Sequence, residues 1–243
     1  MYDIGRSYGE WKYSGELPAT LKYISTDNKP NLDWDHWDLP ITYEMNAQGF
    51  RCAELKQDPN SIICLGPSTA AGIGLPEDKT WPHLLGKELN LAHYNLAEPG
   101  GGFDQAYRIA SVWVPYVKPK YVFLTEPPLQ SRELFTKNHH LNVGTWSFDY
   151  NHLIETDEEL NLNRKRNLDA IENVCRLNGA KFFFVKEVWI DDKARDNFHT
   201  GISGHERYVS YFLKRINNTT EQEIKARLLN ESVDATPKEL VRI

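Results

Sequence analysis

The residues of this chain that could do covalent chemistry are one serine and one histidine beside an aspartate. The stretch Ile63-Cys64-Leu65-Gly66-Pro67-Ser68-Thr69-Ala70-Ala71-Gly72-Ile73-Gly74 runs an apolar strand straight into a turn with glycines on both sides of Ser68. Such a turn presents a hydroxyl at the carboxyl edge of a sheet, where small neighbours let a substrate approach. An isolated serine after a strand is more often only a helix N-cap. Phosphate-binding readings fit less well: Gly66 is not followed by the Gly-Lys-Ser/Thr ending of a P-loop, and Gly72-Ile73-Gly74 lacks the third glycine of a dinucleotide fingerprint. A nucleophilic serine needs a base, and Asp196-Asn197-Phe198-His199 offers one. Aspartate and histidine three apart on a turn let the carboxylate hold one ring nitrogen and leave the other facing Ser68, the orienting logic of acyl transfer by a Ser-His-Asp triad. Alone, Asp-x-x-His reads by default as a surface turn.

Elements must bring these groups together. Ser61–Leu65, Tyr94–Leu96, Tyr121–Leu124 and Lys181–Val185 are short runs rich in β-branched or aromatic residues and read as buried parallel strands. Helical spacing appears between them, at Trp81–Leu89, Gln105–Val117 and Arg164–Leu177, the last stopped by Asn178-Gly179, and again at Glu206–Ile216. This alternation predicts right-handed βαβ crossovers and a mainly parallel sheet covered by helices on both faces, three α/β/α layers in all, and in such sheets active sites gather at the carboxyl ends of the strands. Residues 1–50 read as an irregular extension packed on the core, 51–216 as the catalytic-type domain, and 217–243 as a charged tail. The connection over 127–156, with Pro127, Pro128, His139, His140, Trp146 and Tyr150, has the length of a lid or binding loop.

Composition excludes several classes. With 28 Lys+Arg against 34 Asp+Glu the formal charge is −6, which disfavours nucleic-acid binding. No apolar run is long enough for a bilayer, and the N-terminus lacks the pattern of a signal peptide, so a soluble intracellular, cytoplasmic protein without a membrane partner is expected. Cys52, Cys64 and Cys175 are odd in number and widely spaced, which argues against a disulfide framework. His139-His140 and the acidic cluster at Asp33, Asp35 and Asp38 lack the spacing of known ion sites, so no metal and no cofactor are expected. Trp34, Trp37 and Trp146 could stack on sugar rings or pin their segments to the core.

Taken together, four segments over about residues 41–216 resemble the SGNH (GDSL-type) hydrolase family. Ser68 with Gly72 is similar to the first block, Asn95-Leu96-Ala97-Glu98-Pro99-Gly100 to the second, and Asp196-Asn197-Phe198-His199 to the last. Asn46-Ala47-Gln48-Gly49-Phe50-Arg51 resembles the Asn-x-x-Gly-Phe-Arg lead-in of many members. The resemblance implies Ser68 as nucleophile, His199 as base, Asp196 as its partner, and the amides of Ser68 and Gly100 as the oxyanion hole. It further implies a three-layer α/β/α, flavodoxin-like fold with a mainly parallel sheet, and a serine esterase that removes small acyl groups such as acetyl from carbohydrate. Two departures stand out: Gly-Asp-Ser is replaced by Gly66-Pro67-Ser68, and the third block's asparagine by Leu124-Thr125-Glu126-Pro127-Pro128-Leu129-Gln130. Gln130 and Arg132 are the candidates to supply the missing donor. The alternative is a catalytically degenerate scaffold that binds a glycan or a protein.

Overall fold

The computed structural model describes residues 5–7, 17–28, 39–135, 140–144, 156–187 and 192–234. The Asp33–Asp38 cluster, His139, Trp146 and Tyr150 lie outside them.

Four parallel strands form the central sheet: β3 (Ser61–Leu65), β4 (Ala92–Asn95), β5 (Tyr121–Thr125) and β8 (Lys181–Val185), in the order β4-β3-β5-β8. All five residues of β3 are buried, as expected of an inner parallel strand covered on both faces. Side chains alternate along each strand, so the sheet sorts its apolar residues into two cores. On one face Ile62, Cys64, Phe123, Phe183 and Val185 meet Trp81 and Leu85 of α2 (Trp81–Leu89) and Tyr208, Val209 and Phe212 of α5 (Ile202–Asp234). On the other, Ile63, Leu65, Val122 and Leu124 meet Ile109, Ala110 and Val114 of α3 (Phe103–Val117) and Ile171 and Cys175 of α4 (Asp157–Leu177). The three-layer α/β/α expectation holds. The chain leaves β3 through α1 (Ser68–Ala71) and α2 on one face to reach β4, then crosses on the other face through α3 to reach β5. Ser68 thus sits at the strand end where the crossovers part, the place where open α/β sheets form a crevice.

Two small antiparallel pairs lie outside this sheet: β1 (Ala19–Leu21) with β2 (Tyr43–Met45), and β6 (Arg132–Phe135) with β7 (His140–Val143). Ile24, Ile41, Tyr43, Met45 and Phe50 of the first fifty residues are buried, the first four in the α2/α5 core.

α2 has the expected bounds, whereas α4 and α5 run further than periodicity suggests. α4 begins at Asp157, seven residues before the expected Arg164, because Thr156 accepts from the amide of Glu159 at 3.4 Å and three acidic residues follow in the first turn. α5 continues from the expected Ile216 to Asp234 through a stretch with neither glycine nor proline. β4 begins two residues before Tyr94, where Ala92 pairs with Ser61 and His93 with Ile62.

Candidate active site

The Ser68 turn is held from behind by the Asn-x-x-Gly-Phe-Arg segment. Asn46 folds that segment by accepting from the amides of Gln48 (3.1 Å) and Phe50 (2.9 Å), with Gly49 at φ +83°. This delivers Arg51, 1% exposed, beneath α1, where Nη1 donates to the carbonyls of Gly72 (2.7 Å) and Ala71 (3.3 Å) and Nη2 to that of Leu75 (2.9 Å). The carbonyls left unpaired at the end of the short helix are thereby satisfied. Gly66 (φ +150°) is required here, since a Cβ would lie 2.3 Å from Thr125 Oγ1. Asn95 ties β4 to the same turn by donating to the Ala70 carbonyl at 3.0 Å.

The Asp196–His199 turn is built from its own carboxylate. Asp196 Oδ1 accepts from the amides of Phe198 (3.1 Å) and His199 (3.0 Å), while Oδ2 lies 2.6 Å from His199 Nδ1 and accepts from Thr26 Oγ1 at 2.6 Å. The side chains are buried, with 7% of His199 and none of Asp196 exposed. Burial opposes ionisation of Asp196, yet the hydrogen bonds and charge of His199 and the Thr26 hydroxyl outweigh it and hold the carboxyl at about 2. The carboxylate is therefore an anion that fixes the ring through Nδ1. His199 Nε2 makes no hydrogen bond among the described residues.

Backbone hydrogen bonds stitch the three loops together. Glu98 N donates to the Gly66 carbonyl at 3.0 Å, which sets the Gly100 turn against the Ser68 turn, and Arg195 N donates to the Gly74 carbonyl at 3.0 Å, which sets the His199 turn beside the exit of α1. The Arg195 side chain, 3% exposed, forms a two-pronged ion pair with Asp27, donates to the carbonyls of Lys22 and Leu39, and so binds the N-terminal segment to this turn. Asp27 in turn accepts from Tyr43 Oη at 2.7 Å, and Tyr43 Oη accepts from Gly74 N at 2.8 Å. Sequence reasoning missed Thr26, Asp27, Tyr43 and Arg195, because no local spacing marks contacts across 16 to 170 residues.

The structure brings Asp196 and His199 into contact; no hydrogen bond joins Ser68 to His199, and the Ser68 hydroxyl is half-buried without a partner among the described residues. The amides of Ser68, first in α1, and of Gly100, at φ +76°, likewise donate to no described residue. Of the two residues expected to stand in for the missing asparagine, Arg132 donates to the Leu129 (2.8 Å) and Ser131 (3.0 Å) carbonyls of its own turn, and Gln130 is half-buried. A further group stands nearby: Gln105 of α3 is 1% exposed, both its side-chain polar atoms lack partners, and Gly101 abuts its amide so closely that a Cβ there would lie 2.4 Å from Oε1. Buried amides without partners are rare and costly.

No protein-family model and no curated protein matches the chain. Among solved structures it is similar to a candidate lipolytic protein of the G-D-S-L family from Desulfitobacterium hafniense DCB-2 (13% identity, 65% of this chain and 74% of that one, TM-score 0.37). It is also similar to the psychrotrophic esterase EstA from Pseudoalteromonas sp. (15% identity, 63% and 72%, TM-score 0.35) and to TesA (17% identity, 67% and 74%, TM-score 0.37). At these TM-scores the likeness carries no functional weight, and the site's chemistry stands on its own geometry. No described helix is long and apolar enough to cross a membrane.

Proposed function

We propose that the protein is a serine ester hydrolase acting by acyl transfer. The observation that carries this reading is the buried Asp196–His199 pair, with Nδ1 held and Nε2 unengaged, on a turn hydrogen-bonded to the loop that follows Ser68. His199 Nε2 takes the proton of Ser68 as Oγ attacks the ester carbonyl carbon. The new C–O bond pushes the carbonyl π electrons onto oxygen, where the amides of Ser68 and Gly100 receive the charge. Collapse of the tetrahedral intermediate breaks the bond to the alkoxy oxygen, and His199 returns its proton to the departing alcohol. Water, deprotonated by His199, then hydrolyses the acyl-enzyme. Asp196 stays ionised and steadies the imidazolium. Substrate closes the remaining gap between hydroxyl and ring, since catalytic hydrogen bonds commonly tighten only in the complex.

Small acyl groups, acetyl on carbohydrate above all, are the proposed substrate class, as the resemblance of the four segments implies. For the side-chain oxyanion donor the buried, unpartnered Gln105 amide is a better candidate than Gln130 or Arg132, whose guanidinium is engaged. Gln105→Leu is expected to lower kcat about 10²–10³-fold with little change in KM, as loss of an oxyanion donor does. The reaction itself is tested with a fluorophosphonate: wild type is labelled at Ser68, and Ser68→Ala is not. Equal labelling of the two overturns the assignment of the nucleophile. If neither is labelled and acetylated sugars bind without releasing acetate, the protein is a glycan binder on a hydrolase scaffold, a reading favoured by the absent Ser68–His199 bond.

A further inference from the structure

A second cluster of reactive side chains lies on the edge strand of the sheet and takes no part in the proposed hydrolysis. It is assembled by three elements. Glu77 sits on the 3-10 turn 77–79, whose carbonyl at Glu77 accepts both the amide (2.9 Å) and the hydroxyl (2.7 Å) of Thr80, a residue 1% exposed. His83 lies in the first turn of α2, and His93 on β4. Gly86 allows α2 to press onto β4, since a Cβ there would meet His93 Cβ at 3.0 Å and the Leu91 carbonyl at 3.0 Å. His83, three residues earlier on the same helix face, is thereby brought over His93, with the ring centroids 5.0 Å apart and nearly edge to face. His93 Nε2 stands 3.2 Å from Glu77 Oε1, and one ligand atom from each of the three residues falls within 4.8 Å of the others.

We propose that Glu77, His83 and His93 form a three-ligand site for a divalent cation of the zinc class. Two imidazoles and one carboxylate are the donor set that zinc takes in sites keeping a fourth position for water, and borderline nitrogen donors disfavour magnesium and calcium. With bonds of about 2.1 Å, tetrahedral ligands stand about 3.4 Å apart, so the His93–Glu77 pair already has the required spacing. Since no separation exceeds 4.8 Å, closing to tetrahedral spacing takes at most about 1.4 Å, within reach of a rotation of His83, which is half-buried and has no hydrogen bond among the described residues. The cation takes the place of the direct His93–Glu77 contact, and so clasps the 77–79 turn, α2 and β4 together. Among the described residues this is the one grouping of three such side chains with that geometry.

The test uses the full chain, stripped with EDTA and dialysed, and titrated with Co²⁺ and with Zn²⁺. One equivalent of Co²⁺ gives the visible absorption of a low-coordinate nitrogen–oxygen site, and one equivalent of Zn²⁺ bleaches it. His83→Ala and His93→Ala each weaken binding at least 30-fold and Glu77→Gln about 10-fold, whereas His140→Ala, remote in the chain, leaves it unchanged. On wild-type protein alone, Zn²⁺ shields His83 and His93 from diethyl pyrocarbonate as read by mass spectrometry, which settles the matter even where a variant fails to fold. Absence of a one-equivalent site, equal binding by His83→Ala and wild type, or modification of both histidines at the same rate with and without Zn²⁺ would each overturn the proposal.

Discussion

His199 and His93 each face a carboxylate, Asp196 at 2.6 Å and Glu77 at 3.2 Å, yet the two pairs are built for different work. Around His199 every acceptor position is used: two backbone amides on one oxygen of Asp196, the ring and the Thr26 hydroxyl on the other, none of the carboxylate exposed. Glu77 is 39% exposed in its side chain and has only His93 as a side-chain partner among the described residues, with a second imidazole alongside. A carboxylate saturated by donors and shut away from water cannot swing, so it orients a proton acceptor. One left half-solvated, beside two imidazoles, can exchange a proton for a cation. Burial and the count of donors, more than residue type, decide which chemistry a His–carboxylate pair supports.

The largest effect should come from emptying the saturated pair of its charge. Asp196→Asn is expected to cut kcat/KM for p-nitrophenyl acetate about 10⁴-fold at pH 7, because an amide favours the wrong ring tautomer; a loss under tenfold would place the two pairs on an equal footing. Next, Arg195→Ala strands the buried carboxylate of Asp27 and should lower the urea-derived unfolding free energy by about 3–5 kcal/mol. A pH titration sharpens the contrast between buried and solvated rings. His205, fully buried, accepts from the Trp81 amide at 2.8 Å, and burial first, then the charge of Arg51, press its pKa to about 3. The unfolded ring titrates near 6.5, so the unfolded state binds the extra proton and stability falls as pH drops from about 6.5 towards 3, by up to about 1.4 kcal/mol per pH unit. His205→Asn keeps an acceptor for Trp81 and should remove about one proton from that slope, measured by denaturant melts between pH 6 and 4. Smallest is Thr26→Val: losing one hydroxyl donor to Asp196 should cost about tenfold in kcat. An unchanged rate would mean that the amides and the ring alone immobilise the carboxylate.

The parallel sheet and its two helical layers were legible in the order of short apolar runs and 3.6-residue spacings, since Ile62 and Ile63 must face opposite cores whatever surrounds them. The Asp196–His199 contact was legible too, because three residues on a turn leave few alternatives. The bounds of α2 and the C-terminal ends of α3 and α4 were legible as well, but not the start of α4 at Asp157, capped by Thr156, nor the His205 ring that caps α2 from 124 residues away. Nor could spacing reveal that Arg51 would be spent on the carbonyls behind Ser68, or that Gln105 would be buried unpaired while Arg132 turned back on its own loop.

By itself, then, the order of residues determined which groups could react and the secondary structure that carries them, because propensity, periodicity and turn chemistry act over a few residues. Only the tertiary structure decided which carboxylates are saturated, which are half in water, and that residues 26 and 27 complete a site whose histidine lies at 199. Those outcomes depend on desolvation and on hydrogen bonds between segments far apart in the chain, and neither has a local signature.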